Sequence, residues 1–368
     1  MANGTFGALL RSEATATAIP GANAWKVLYS SKDVSGAAHD VSGLVVAPAG
    51  PGVGRPLLSW CHGTTGLGDA ACPSALPDPA REFTIYYSSE STTQIDYGIP
   101  GLADWIAAGF VVCATDYQGL GTDGVHQYAV NRTNGLDALG IAHAARQLDV
   151  GAGSTLAVFG WSQGGGAAAA VAELADEDFA DLDLVACAPI SPGVLTATLS
   201  SPGSDTAALS DPSTPPSVHL LMTIYGHATT FSDLDLDDIL TPLGRSLLDA
   251  GWNTQPVHHL GDTAARLFQF QGPLVHTNPL TSPAWRDAFT RGSAGQVPAR
   301  CPVLVCIDEF GGGTRVPVGW QETYAKDAES LGGSVEIRRY PAADHFSVCH
   351  DAANDIGEWV VSKLASPG

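Results

Sequence analysis

Residues 158–167 read VFGWSQGGGA, and within them Gly160, Trp161, Ser162, Gln163 and Gly164 spell GxSxG. A serine hydroxyl is a weak nucleophile until a base takes its proton, and the negative charge that follows its attack needs hydrogen-bond donors. The pentapeptide falls between an apolar run, TLAVFG, and an Ala-rich segment. In a tight strand-to-helix turn the residues two before and two after the serine need almost no side chain, because strand and helix backbones approach closely there. Gly160 and Gly164 meet that need, which places Ser162 at a helix N-terminus as a candidate nucleophile. The competing reading is a Gly-rich turn with an incidental serine; the flanking strand and helix patterns count against it.

The partners of such a serine have characteristic places. SWCHGTTGLGD (59–69) follows the apolar run RPLLSW and resembles the HG-type oxyanion loops of lipases and esterases, with Thr64 offering one backbone N–H and Gln163 the other. The chain order expected with this kind of turn is serine, acid, histidine. His345 in YPAADHFSVCHD fits the base, since it follows the strand pattern SVEIRRY and precedes a final helix; His350 and the pair His258 and His259 read as surface histidines. The acid is expected at the end of CPVLVCID, where Asp308 is preferred to Glu309 because alternate strand residues point to opposite faces. Asp344, adjacent to His345, is poorly placed to reach the far imidazole nitrogen.

The elements that must hold these residues are legible as patterns. AWKVLYSSKD (24–33) and HDVSGLVVAP (39–48) predict an antiparallel hairpin. RPLLSWCHG, GFVVCATDY, STLAVFGW, LDLVACAPI, CPVLVCID and SVEIRRYP are short apolar runs separated by helical segments such as GLADWIAAG, GLDALGIAHAARQL and GGGAAAAVAELA. That alternation predicts an α/β protein with a mostly parallel central sheet and helices on both faces. It breaks between about 199 and 299, where TLSSPGSDTAALSDPSTPPS leads into helical, proline-punctuated sequence, so the expected organisation is a core over 1–198, an inserted helical cap or lid over 199–299, and the rest of the core over 300–368.

The chain has 368 residues, 45% of them hydrophobic, enough for one large core. Its formal charge of −21 would repel a nucleic-acid backbone, so no nucleic-acid partner is expected. No stretch reads as a membrane span, and MANGTFGALLRSEATATAIPG lacks a signal-peptide pattern, which predicts a cytoplasmic protein or a secreted one whose leader has been removed. None of the seven cysteines forms a CxxC metal pattern, so no zinc site is expected, and no cofactor is expected either. Cys61, Cys72, Cys301 and Cys349 are the candidates for pairing in an oxidising compartment, while Cys113, Cys187 and Cys306 sit in apolar runs.

With these residues identified, the sequence resembles the secretory lipase family of α/β-hydrolases, the group of the fungal type A lipases and their actinobacterial relatives. The resemblance is carried by WKVLYSSKDVSG, SGLVVAP, HGTTGLGDAACPS, ATDYQGLG, GVHQY, GWSQGG, a late Val-Pro pair and YPAADH. It implies an α/β-hydrolase fold with a helical cap and hydrolysis of small-molecule or lipid carboxylic esters, with Ser162 as nucleophile, His345 as base, and Thr64 and Gln163 as oxyanion donors. The acid departs from the pattern: the family's aspartate before Val-Pro is Gly313 here, within FGGGTRVP, which leaves Asp308 or Glu309. An acyltransferase or amidase using the same acyl-enzyme is the alternative activity, and a non-catalytic binding protein on this fold is a third reading, motivated by Gly313. Phe231, Leu234, Phe268 and Phe270 are candidates for an acyl pocket or for cap core.

Overall fold

The computed structural model describes residues 5–201, 214–313 and 315–364. Residues 1–4 of the segment read for a leader, most of the Ser- and Pro-rich stretch at 202–213, and Thr314 of FGGGTRVP lie outside the described residues. The strands are β1 (Leu9–Thr15), β2 (Ala22–Lys32), β3 (Ala38–Pro48), β4 (Arg55–Cys61), β5 (Val111–Thr115), β6 (Ala152–Trp161), β7 (Asp183–Ile190), β8 (Val303–Asp308) and β9 (Val335–Tyr340). The helices are α1 (Leu102–Ala107), α2 (Asn131–Ala145), α3 (Gln163–Val171), α4 (Asp176–Phe179), α5 (Leu195–Ser200), α6 (Val218–Thr230), α7 (Pro242–Gly251), α8 (Val257–Gln271), α9 (Pro283–Gly292), α10 (Val318–Ser330) and α11 (Val348–Leu364).

Among the described residues the strands form one sheet in the order β1-β2-β3-β5-β4-β6-β7-β8-β9. The β2–β3 hairpin pairs antiparallel from Ala22 with Pro48 to Lys32 with Ala38, as its alternation predicts. From β5 to β9 every neighbouring pair is parallel. Parallel strands joined by crossover helices are covered on both faces, so their sequences are apolar nearly throughout. In β6, Leu156 and Val158 face the core shared with α2, α3 and α10, while Ala157 and Phe159 face the one shared with α1 and α11. The strand β1 escapes a pattern search because most of LLRSEAT is exposed; its polar face blunts one edge of the sheet.

Between β7 and β8 the described residues form helices α5 to α9 and their connections. Leu221, Met222 and Ile224 of α6, Leu247 and Leu248 of α7, Leu260 of α8, and Trp285 and Phe289 of α9 make a third apolar cluster, joined by Leu67 and Tyr128 from loops of the sheet layer. All seven cysteines are free and buried, so Cys61, Cys72, Cys301 and Cys349 do not pair: each is packed in apolar core as a small hydrophobe. No helix among the described residues is long and apolar enough to cross a membrane.

The sheet order determines where a site can form. The chain leaves β4 for β5 on one side and later adds β6 on the other, so the loops after β4 and β6 diverge and open a crevice at the strands' carboxyl ends. The loop after β4 carries Thr64, and the turn after β6 carries Ser162. That turn is a single residue: Trp161 ends β6, Gln163 begins α3, and Ser162 has φ 59° and ψ −115°. A Cβ on Gly160 would lie 2.2 Å from the Gly164 carbonyl oxygen, and one on Gly164 would lie 2.0 Å from that of Cys61, so helix and strand pack backbone to backbone.

Gly164→Ala is therefore expected to lower stability by about 3 kcal/mol, the upper end of ordinary overpacking costs. The urea midpoint should fall with the slope unchanged. Gly319→Ala is the control, at an exposed helical glycine with nothing within 4 Å of the added methyl. Equal midpoints for the two variants would refute the close-packing account.

Candidate active site

Ser162 holds its left-handed backbone because neighbouring chains pin it from two sides. Its N–H donates to the Ile190 carbonyl at 2.9 Å, and its own carbonyl accepts from Gly193 at 2.8 Å and Gly166 at 3.2 Å. A non-glycine residue in this region is strained and persists only where its surroundings over-determine it. The constraint turns the side chain out of the helix, towards the loop after β9.

His345 lies on that loop and is 3% exposed. Its Nε2 is 3.0 Å from Ser162 Oγ, and its Nδ1 is 2.9 Å from Ser191 Oγ. The Trp161 indole N–H donates to the His345 carbonyl at 2.7 Å, tying the histidine loop to the Ser162 turn. Burial pushes the His345 pKa down to about 3, helped by His219 and Arg315 and opposed by Asp344. The imidazole is thus neutral at neutral pH, as a general base must be.

Sequence order brings Ser162 and His345 together, but the carboxylates stand otherwise. Asp308, fully buried at the end of β8, makes no hydrogen bond to His345; its Oδ1 accepts from Gln321 Nε2 at 2.8 Å. Burial raises its pKa, opposed first by the Ser191 hydroxyl and then by Gln321. Glu309 is paired with Arg339 at 2.7 Å. Asp344 accepts from the backbone N–H groups of Phe346 and Ser347, at 3.0 and 2.8 Å, and so shapes the turn that carries His345. Gly313 has φ 73°, and a Cβ there would fall 2.5 Å from the Val316 carbonyl oxygen. The loop in this form has no room for the aspartate expected from the family pattern. Ser191, which contacts the imidazole where an acid was expected, carries no signal in SPG beyond its place after β7.

Thr64 lines the same cavity as Ser162, Gln163 follows Ser162 in the chain, and neither backbone N–H is engaged in a hydrogen bond within the described residues. The side chains of both are anchored. Thr64 Oγ1 lies 2.8 Å from the Tyr128 hydroxyl. The Gln163 amide nitrogen lies 2.7 Å from His126 Nε2 and 3.3 Å from Asn134 Oδ1. His126 Nδ1 faces the Gln118 carbonyl at 2.9 Å, which can only accept, so Nδ1 carries the ring proton and Nε2 accepts from Gln163. Burial holds His126 neutral, with its pKa down to about 3. His126 and Tyr128 belong to GVHQY, a segment whose role as support is not visible in the sequence.

Ser162, His345 and Thr64 line a cavity of about 330 Å³ with Tyr86, Gln94 and Asp96 from the β4–β5 connection, Val218 and His219 of α6, Val257 and His258 of α8, and Arg315. His258 is therefore not the surface histidine that its sequence position suggests: its ring stacks on Tyr86 with centroids 3.4 Å apart. His350 lies in α11, against Phe83. The four apolar candidates for an acyl pocket do not line this cavity. Phe231 packs on Val130 and Ala288, Leu234 packs against the clusters between β7 and β8, Phe268 is half-buried along α8, and Phe270 is 77% exposed. Burial pushes the Asp96 carboxyl up to about 7 against one opposing hydrogen bond, from the Tyr86 N–H at 2.8 Å.

No curated protein matches this sequence. The secretory lipase family matches over residues 86–202, a span that includes ATDYQGLG, GVHQY and GWSQGG. In fold, the chain is similar to the rice cell wall degrading esterase LipA from Xanthomonas oryzae, at 19% identity and a TM-score of 0.73, over 98% of this chain and 100% of that one. It is also similar to Candida antarctica lipase A, at 16% identity and a TM-score of 0.75, over 99% of this chain and 84% of that one. The chain is thus an α/β-hydrolase by fold, and it matches the secretory lipase family over the segment that contains Ser162.

Proposed function

We propose that the protein hydrolyses carboxylic esters through an acyl-enzyme on Ser162, with His345 as base, Thr64 and Gln163 as oxyanion donors and Asp308 as the acid behind the base. The observation that carries this reading is the 3.0 Å contact between Ser162 Oγ and the buried, neutral imidazole of His345. His345 Nε2 takes the hydroxyl proton as Oγ attacks the ester carbonyl. The tetrahedral oxyanion is met by the free N–H groups of Thr64 and Gln163, the latter at the positive end of α3. Collapse expels the alcohol, protonated by His345, and water then repeats the sequence on the acyl-enzyme.

The helices between β7 and β8 act as a cap inserted over 199–299, with α6 and α8 forming one wall of the cavity. A volume of about 330 Å³ is near the lower end for ligand sites, which supports a small ester over a long-chain one.

In a chain-length series of chromogenic esters the wild type should turn over the short members, and Ser162→Ala should lower kcat by on the order of 10⁵-fold or more. A serine-directed phosphonate should label Ser162. Absence of both turnover and label would defeat the proposal. The depressed pKa of His345 also fixes a pH profile: kcat/KM should hold below the ordinary histidine value of about 6.5 and fall only in more acid solution. Asp96 titrates near the same window, so the comparison is made in Asp96→Asn as well. An acid limb that stays near 6.5 in both proteins would contradict a buried, neutral base.

A further inference from the structure

We infer that Ser191 is a positioning residue that links Asp308 to His345, making the site a chain of four groups in the order Ser162, His345, Ser191, Asp308. The inference rests on the ester-hydrolase reading above and assigns how its acid acts. Ser191 is fully buried, immediately after β7, with its N–H on the Cys306 carbonyl at 2.8 Å. Ile190 pairs with Cys306 in the sheet, so Ser191 stands beside the end of β8, where Asp308 is. Its Oγ is 2.9 Å from His345 Nδ1.

One assignment of donors and acceptors joins the four groups in a chain. Gln321 Nε2 donates both its hydrogens, one to Asp308 Oδ1 and one to the Val316 carbonyl at 2.7 Å. Asp308 Oδ2 is buried and has no partner in hydrogen-bond geometry among the described residues, yet the Ser191 hydroxyl is the strongest group favouring the carboxylate. Ser191, pinned beside the end of β8 through the Cys306 carbonyl, is the neighbouring hydroxyl that this open oxygen can take as its donor. A carboxylate only accepts, so the Ser191 O–H points to Asp308 and its oxygen lone pairs face the imidazole. His345 then carries its proton on Nδ1, donated to Ser191 Oγ, and Nε2 is left bare towards Ser162. When Nε2 takes the Ser162 proton, the imidazolium is stabilised by the Ser191 dipole and the Asp308 charge. That proton leaves on the alcohol, and none passes through Ser191. The nearby Arg315 charge disfavours the imidazolium, which the Asp308 charge offsets.

Ser191 has φ 44°, a conformation that glycine adopts freely, so Ser191→Gly removes the hydroxyl without forcing the backbone. We expect kcat to fall by about a hundredfold or more with KM little changed and the thermal midpoint not lowered. Asp308→Asn should show a similar loss. Because Asp308 acts through Ser191, the double variant should lose no more than Ser191→Gly alone. A wild-type kcat in Ser191→Gly would overturn the inference, as would a further multiplicative loss on adding Asp308→Asn. Independently of turnover, the ¹⁵N spectrum of wild-type His345 should show the proton on Nδ1, with that preference weakened in Ser191→Gly. A proton on Nε2 in the wild type would also overturn it. If the wild type neither hydrolyses esters nor is labelled at Ser162, the ester-hydrolase reading fails, and the spectrum alone then decides the link between Ser191 and His345.

Discussion

One residue between β6 and α3 carries the geometry of the whole site. Ser162 is held in a left-handed conformation that costs about 1–3 kcal/mol, and three backbone hydrogen bonds to Ile190, Gly166 and Gly193 over-determine it. The turn can be this short only because Gly160 and Gly164 let strand and helix meet through their backbones. A longer turn would move the start of α3 away from the sheet and take the Gln163 N–H with it. The Ser162 hydroxyl, the Gln163 N–H and the helix's positive end therefore keep their relative positions through a single backbone constraint.

The other groups reach this point because of the strand order. Thr64 follows β4, Ser191 follows β7, Asp308 ends β8 and His345 follows β9, all at the carboxyl ends of parallel strands. Each side chain starts from a rigid strand end, and the long connections serve the cavity walls. The Trp161 indole joins the two halves directly by holding the His345 carbonyl, so the loop after β9 cannot shift without disturbing the Ser162 turn.

How much of this was legible follows from where the information lies. Strands β4 to β8 were readable because burial on both faces leaves nearly continuous apolar runs, and the meeting of Ser162 with His345 because chain order in such a sheet constrains both. Strand β1 was not, since LLRSEAT is exposed over most of its length and lacks a buried period. The cavity-lining roles of His219, His258 and Arg315 depend on how α6, α8 and the loop before α10 approach the sheet, which no local pattern records. Cys61, Cys72, Cys301 and Cys349 looked pairable only because spacing says nothing about the apolar packing that keeps each thiol apart. The support of Gln163 by His126 was hidden similarly: GVHQY can be seen as a segment, but not as a buried network behind Gln163.

The acid is the most instructive gap between sequence and structure. The family pattern expects an aspartate on the loop before Val-Pro, but Gly313 occupies that place with a backbone that excludes a side chain. Asp308 lies at the strand end instead, where Gln321 fixes one oxygen and burial fixes the rest. A carboxylate anchored on a strand is better ordered than one on a glycine-rich loop, but it starts farther from the histidine. A hydroxyl from the neighbouring strand can fill the gap because it donates and accepts at once: it gives its hydrogen to the carboxylate and takes one from Nδ1. Neither a methyl nor a second carboxylate has that pair of capacities. The requirement falls on residue 191, whose backbone is pinned to β8 through the Cys306 carbonyl. A glycine-rich loop and a left-handed serine, unremarkable apart, thus become two parts of one arrangement in which the charge sits one residue farther back than the family pattern places it.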